Sequence, residues 1–467
     1  MTERRWLWVM IGVYAAVFGL MTGLRHYNFE TQTWDLAAFV QSFWNASEGR
    51  GLVNNLEQVH NHLGLHFSPG LYLLMPAYAV FPSPYFLLFA QTLALALGAW
   101  PLFLLAKRIW PKGSWPLTLA GLYLLYPGLH WSNFYDFHEI TLFVPLMLAA
   151  LYFLDIRRWG WMIFFLMLAA SMKEDAILAV MFVGLYLIIK KHWKIGLPIA
   201  VVSLVYFLIA LKVFMPALGG GALRLDRYEH LGATPTEVVK NIATNPLLLG
   251  RTVLTSPKAS YLFWTFLPVG FLPLASWPTL ALLLPGIPEN LLTNYHFQFS
   301  GMYHYDSVLI PAIFVGLIFG LKKVLSKWSN KEKIIRWTLI SLALVSFLAR
   351  SPLGLTSFPA HYFSDTPQKE AYRNLVRLTP PGVSVAANTN LVPHLSHREN
   401  VHALNSEPAP ADFVIIDATD PFGFSDQAAF QAYVDSYLKT GRYKAQTFED
   451  RYILIMKEGL SLVPETQ

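Results

Sequence analysis

The sequence predicts a polytopic α-helical membrane protein with a small C-terminal α/β domain. Three observations predict it. Of its 467 residues, 54% are hydrophobic and 14% are charged, against roughly 25% charged in an average soluble protein. Long apolar runs recur from Trp6 to Ala349, more than a soluble fold of this size can bury. Beyond Ser351 the composition changes and the apolar runs become short. The division expected is a membrane domain over 1–350 and an α/β domain over 351–467.

Charge and cysteine usage narrow the class. Lys and Arg number 35 and Asp and Glu 29, a net charge of +6. Most of the basic residues stand in short loops between apolar runs, the pattern of a positive-inside membrane protein and not of a nucleic-acid binder. There is no cysteine, which excludes disulfides, iron–sulfur clusters and thiol catalysis.

Eleven membrane helices are expected, oriented by loop charge. The run 6–24 follows Arg4 and Arg5, is about one span long and lacks a small-residue cleavage site, so it reads as an uncleaved first helix with a cytoplasmic N-terminus. A polar stretch, 25–66, follows outside. The segment 67–81 is apolar but short, and counting it as a span would place Lys107 and Arg108 outside, so it reads as re-entrant or interfacial. Helices then follow at 85–106, 115–129 and 140–154, with an outer loop at 130–139. The halves 161–172 and 176–189 pair about the triplet Lys173-Glu174-Asp175, near the outer face. Further helices are expected at 195–214, 261–274, 278–292 and 306–321, the eleventh ending near Arg350. In the last domain, 383–387 and 413–416 read as strands, 427–438 as a helix and 443–457 as a hairpin, all outside the membrane.

The polar residues near membrane depth fall on one side, and ionisable groups there default to functional roles. Asp35 suits a general base or a metal ligand, with helix capping as the ordinary alternative. His62 and His66, four apart, share a face if helical. His66, Asp136, His138 and Glu174 form a candidate ligand set for Mg²⁺ or Mn²⁺. Lys173 suits a phosphate, or a local salt bridge with Glu174 or Asp175. Trp34, His62, Glu139, Asp175, Tyr303, His304 and Tyr305 complete the substrate-binding candidates, although an interfacial belt accounts for the tyrosines equally well. Asp417, Asp420 and His394 in the last domain suggest nothing specific.

Several of these stretches resemble the DUF2079 family of predicted bacterial membrane proteins. They are Thr33-Trp34-Asp35-Leu36, Leu65-His66-Phe67-Ser68-Pro69, Asp136-Phe137-His138-Glu139, Lys173-Glu174-Asp175-Ala176, Tyr303-His304-Tyr305 and Leu391-Val392-Pro393-His394. The outer acid after helix one, the many short helices and the outer C-terminal domain also resemble the GT-C superfamily of membrane glycosyltransferases. That resemblance implies a GT-C-like fold and transfer of a sugar from a polyprenyl-phosphate donor to a glycan, lipid or protein acceptor outside the cell membrane. It also implies a catalytic acid in the first outer loop, the place of Asp35, and in some members a divalent metal. The adjacent acidic pair of many members is absent, since Glu30 stands five residues before Asp35. A flippase for lipid-linked glycans and a non-catalytic scaffold are the rival readings.

Overall fold

The computed structural model describes residues 2–221, 224–405, 408–419 and 424–463. Among these, four helices are long and apolar enough to cross a membrane: Glu3–Tyr27, Pro84–Ile109, Trp193–Ala217 and Leu309–Lys327. Most of the other apolar segments expected as spans form shorter helices. Trp115–Leu124 stops early because Pro127 begins a second helix, Pro127–Phe134, that runs from the end of the expected span into the expected outer loop. Ile140–Asp155, Trp159–Ala170 and Glu174–Ile189 follow. The pair expected at 261–274 and 278–292 is largely dissolved by its prolines. One helix, Ser256–Phe266, gives way to three 3₁₀ turns before Gly286–Leu292. Proline lacks the N–H that the helical ladder needs and clashes with the preceding turn. The segment 67–81 is short as expected, a 3₁₀ turn Pro69–Leu73 and a helix Met75–Val80.

Glu174–Ile189 packs tightly on Trp193–Ile209 through small residues. A Cβ on Gly184 would lie 2.6 Å from the Gly196 carbonyl oxygen, so larger side chains would force the two helices apart.

The two ends of the helix bundle differ in chemistry. At one end Glu3 pairs with Lys107, Arg108 Nε donates to Asp155 at 2.6 Å, and Trp115 Nε1 donates to Glu332 at 2.9 Å. The first helix has 25 residues, so its other end lies about 37 Å away at 1.5 Å per residue. Asp35 follows that other end.

The C-terminal domain is a three-layer α/β unit. Its strands are β1 (Val385–Ala387), β2 (Val401–Ala403), β3 (Phe413–Asp417), β4 (Tyr443–Phe448) and β5 (Tyr452–Lys457), in spatial order β2-β1-β3-β5-β4. β1 runs parallel to β2 and β3, in the register Ala386 to Val414, and β5 runs antiparallel to β3 and β4. Strand alternation divides the core. Val385, Ala387, Phe413 and Ile415 face the helix Pro367–Leu378, while Ala386, Val414 and Ile416 face the helix Gln427–Leu438. The strands, the helix and the hairpin expected from sequence are all present, and β2 was not expected. Asp420 lies outside the described residues.

This domain is docked on the segment that follows the first helix. Phe29 and Ala37 belong to its apolar cluster. Asn55 completes the β2 edge: its Nδ2 donates to the Val401 carbonyl at 2.7 Å and its Oδ1 accepts from the Val401 N–H at 3.1 Å. A side-chain amide here makes the two bonds that another strand would make, which protects an otherwise open edge.

A buried lysine ties two loops beside the site. Lys258, 4% exposed, donates to the carbonyls of Thr252, Leu291 and Thr293 at 2.8, 2.6 and 2.8 Å. Lys258→Met would leave those oxygens without their donor. Hydrogen bonds to a charged group contribute about 1.5–3 kcal/mol, so the variant should lose roughly that much stability. Thermal unfolding in detergent reads it, and an unchanged midpoint would show that the cage contributes nothing.

Candidate active site

Asp35 stands on a wide turn, Thr33–Ala37, in which the Ala37 N–H reaches back five residues to the Gln32 carbonyl at 3.2 Å. Such π-helical turns recur at functional sites, because the inserted residue re-aims its neighbours. The Asp35 carboxylate accepts from His138 Nε2 at 2.9 Å and from the Tyr135 hydroxyl at 3.0 Å. The first bond fixes the His138 proton on Nε2 when the ring is neutral. Burial alone would raise the Asp35 carboxyl, but the hydrogen bond and charge of His138, with Tyr135 and Arg25, outweigh it and hold it below the ordinary carboxylate range. Asp35 is therefore ionised at neutral pH and still reaches solvent. Beside it Trp34 is 57% exposed.

His138, His304 and Tyr305 form a stacked series. The His138 and His304 ring centroids are 3.6 Å apart, and those of His304 and Tyr305 are 4.3 Å apart. Tyr303 meets Tyr135 edge-on at 4.4 Å. Burial, followed by the charge of His138, holds His304 well below its ordinary value, so its ring is neutral.

Behind this series lies a buried ion pair. Lys173 Nζ is 3.2 Å from Glu139 Oε1, and Glu139 is 1% exposed. Burial would raise Glu139, but Lys173 foremost, with the nearby histidines, brings it down to about 2. Lys173 is raised correspondingly, Glu139 overcoming its burial. Neither Glu139 oxygen has a hydrogen-bond donor, and His62 Nε2, His138 Nδ1 and His304 Nδ1 are also buried without partners. Buried polar atoms of this kind are normally satisfied by water or by a ligand.

The candidate metal ligands are drawn into separate pairs. His66 Nδ1 meets Glu174 Oε1 at 2.9 Å, and Glu174 Oε2 accepts from the Phe67 N–H at 2.9 Å. Asp136 accepts from Arg25 Nε at 3.1 Å and from the Gln32 N–H at 2.7 Å. His138 is committed to Asp35. Among the described residues no three His, Asp or Glu side chains are arranged to hold a metal ion together. In this arrangement the four candidate ligands do not converge on one point.

His62 and His66 do not share a helical face. The helix is His62–Leu65, and His66 has already turned to extended backbone. His62 Nδ1 instead pairs with Glu57 at 3.0 Å. Burial would lower His62, but Glu57 outweighs it and raises the ring above its ordinary value. A raised histidine stabilises the fold fully below its unfolded value of about 6.5, and that contribution is lost as pH rises through the folded value. The wild-type unfolding midpoint should therefore fall between pH 6 and pH 9 by more than that of Glu57→Gln. Equal falls would show that this pair does not set the pH response.

Sequence reasoning missed Arg25, Tyr135, Glu57 and Arg227. Arg25 stands at the end of the first helix, where a cation next to polar residues was a usable signal. Arg227 lies over the Tyr295 ring at 4.2 Å and the Tyr305 ring at 5.5 Å, a contact across a long loop with no local signature. Asp175 is half-buried beside Lys173.

The family model for a predicted membrane protein, DUF2079, matches residues 25–454. The chain belongs to the DUF2079 family. The match spans both the helical bundle and the C-terminal sheet, so a DUF2079 protein comprises the two together. It also takes in every residue of the Asp35 and Lys173 clusters. No curated protein matches the chain.

Proposed function

We propose that this DUF2079 protein is a GT-C-like membrane glycosyltransferase that transfers a sugar from a polyprenyl-phosphate donor to an acceptor outside the cell. The observation that carries this reading is the Asp35 carboxylate, ionised, solvent-reaching and oriented by both His138 and Tyr135. Asp35 accepts the acceptor hydroxyl proton. The freed oxygen bonds to the anomeric carbon as the bond from that carbon to the phosphate oxygen breaks, and the lipid phosphate leaves with the electron pair. Lys173 supplies positive charge towards the leaving phosphate. One displacement of this kind inverts the anomeric centre.

In this reading the chain crosses the membrane repeatedly, with several short spans. The N-terminus is cytoplasmic and the C-terminal domain extracytoplasmic. The gathering of Lys107, Arg108 and Arg336 at the end opposite Asp35 supports that orientation. A flippase needs ionisable groups along a path through the bilayer, whereas here they collect at one end. The test is transfer by purified protein from a panel of polyprenyl-phosphate sugars, with and without EDTA. Turnover supports the proposal, and its loss in EDTA would show a cation requirement. Donor movement across vesicles without transfer would replace it with the flippase reading, and absence of donor binding with a scaffold.

A further inference from the structure

The parallel part of the C-terminal sheet has a strand-order reversal at β1, whose neighbours β2 and β3 lie on either side. Open α/β sheets take ligands in the crevice beyond the carboxyl ends of the strands at such a reversal. Here that crevice is partly spanned by the domain's own atoms, since Asn388 Oδ1, just past β1, accepts from the Asp417 N–H at the end of β3 at 2.8 Å. The next residue, Thr389, reaches the membrane domain. Thr33 Oγ1 lies 2.9 Å from Thr389 Oγ1 and donates to the Thr389 carbonyl at 3.1 Å. Thr33 is fully buried and stands two residues before Asp35 in the wide turn.

Two further contacts hold the turn and the chain leading into it. Ala37, at its end, belongs to the domain's apolar cluster. His394, from the short helix Val392–Leu395, stacks on His26 with ring centroids 4.0 Å apart and on Phe29 at 4.1 Å. The turn that carries Asp35 is therefore gripped at both ends by the domain, at the place where folds of this kind hold a ligand.

We propose that the C-terminal domain is a clamp for the Asp35 turn, with Thr33 and Thr389 as positioning residues. The wide turn is closed by two five-residue backbone bonds, from the Ala37 N–H to Gln32 and from the Ala38 N–H to Thr33, and buries Leu36 in the membrane core, while Thr33 and Ala37 face the domain. The domain supplies the partners of those two residues.

Hydrogen exchange on purified full-length protein tests this without reference to activity. Thr33→Val and Thr389→Val should each speed exchange of the amides at 34–38 by roughly fivefold, the effect of losing one hydrogen bond. Exchange at 413–417, inside the sheet, should stay unchanged. Thr389→Ser keeps the hydroxyl and should behave as wild type. Unchanged exchange at 34–38 in both valine variants overturns the clamp, as does equal acceleration in the sheet, which signals a loosened domain.

Transfer kinetics form a second arm, which rests on the glycosyltransferase reading. The valine variants should lower kcat with donor KM unchanged, and Thr389→Ser should restore it; a rise in KM alone overturns positioning. If no donor turns over in wild type, that reading fails while the exchange result still decides the clamp.

Discussion

Asp35→Asn is expected to abolish measurable transfer while leaving the protein folded. Positioned acid–base groups contribute about 10²–10⁴ in rate, so kcat should fall by at least a hundredfold. Asparagine keeps the shape of the side chain and retains one acceptor oxygen for the Tyr135 hydroxyl. Its amide nitrogen then faces His138 Nε2, now 2.9 Å from the carboxylate, and moving the His138 proton to Nδ1 relieves the conflict. The unfolding midpoint should therefore shift by only a few degrees, and donor binding should persist. Turnover equal to wild type would remove Asp35 from the chemistry and leave it a structural acid.

The second large effect concerns stability. Lys173→Met strands the Glu139 carboxylate in a place where it is 1% exposed and has no hydrogen-bond donor. Breaking a buried ion pair from one side costs about 3–5 kcal/mol, because the remaining charge is uncompensated. Glu139→Gln should cost less, since Asp175 and Glu174 still face Lys173. The double variant removes both charges and should recover more than half of the loss. Simple additivity of the two single losses would show that the pair is not coupled. The same pair carries an acid limit. Glu139 is held down to about 2, so its contribution is present above the ordinary carboxyl value of about 4.3 and fades as pH falls towards 2.

The sequence exposed the long apolar runs and the short apolar stretches of β1 and β3, because these are local patterns. The cluster around Asp35, His138 and Lys173 was also legible, since charged residues at membrane depth are rare enough to stand out. Pairings were not. His66 with Glu174 spans 108 residues and Arg25 with Asp136 spans 111, and no periodicity connects such positions. The His62–His66 spacing pointed to a shared helical face because four residues make about one turn, but that helix ends at Leu65. The eleven apolar segments were counted as spans by composition, whereas prolines at 127, 268, 273 and 285 decide where helices stop.

The link between Thr33 and Thr389 joins positions 356 residues apart. During synthesis the first partner emerges early and waits for nearly the whole chain before the second exists. Contacts this distant in sequence form late, because the intervening chain must be ordered first. The Asp35 turn, Phe29 and the Asn55 amide thus remain unfinished until the last hundred residues have folded against them. A chain cut short in biogenesis would carry every group of the Asp35 and Lys173 clusters and still lack the domain's contacts to the Asp35 turn.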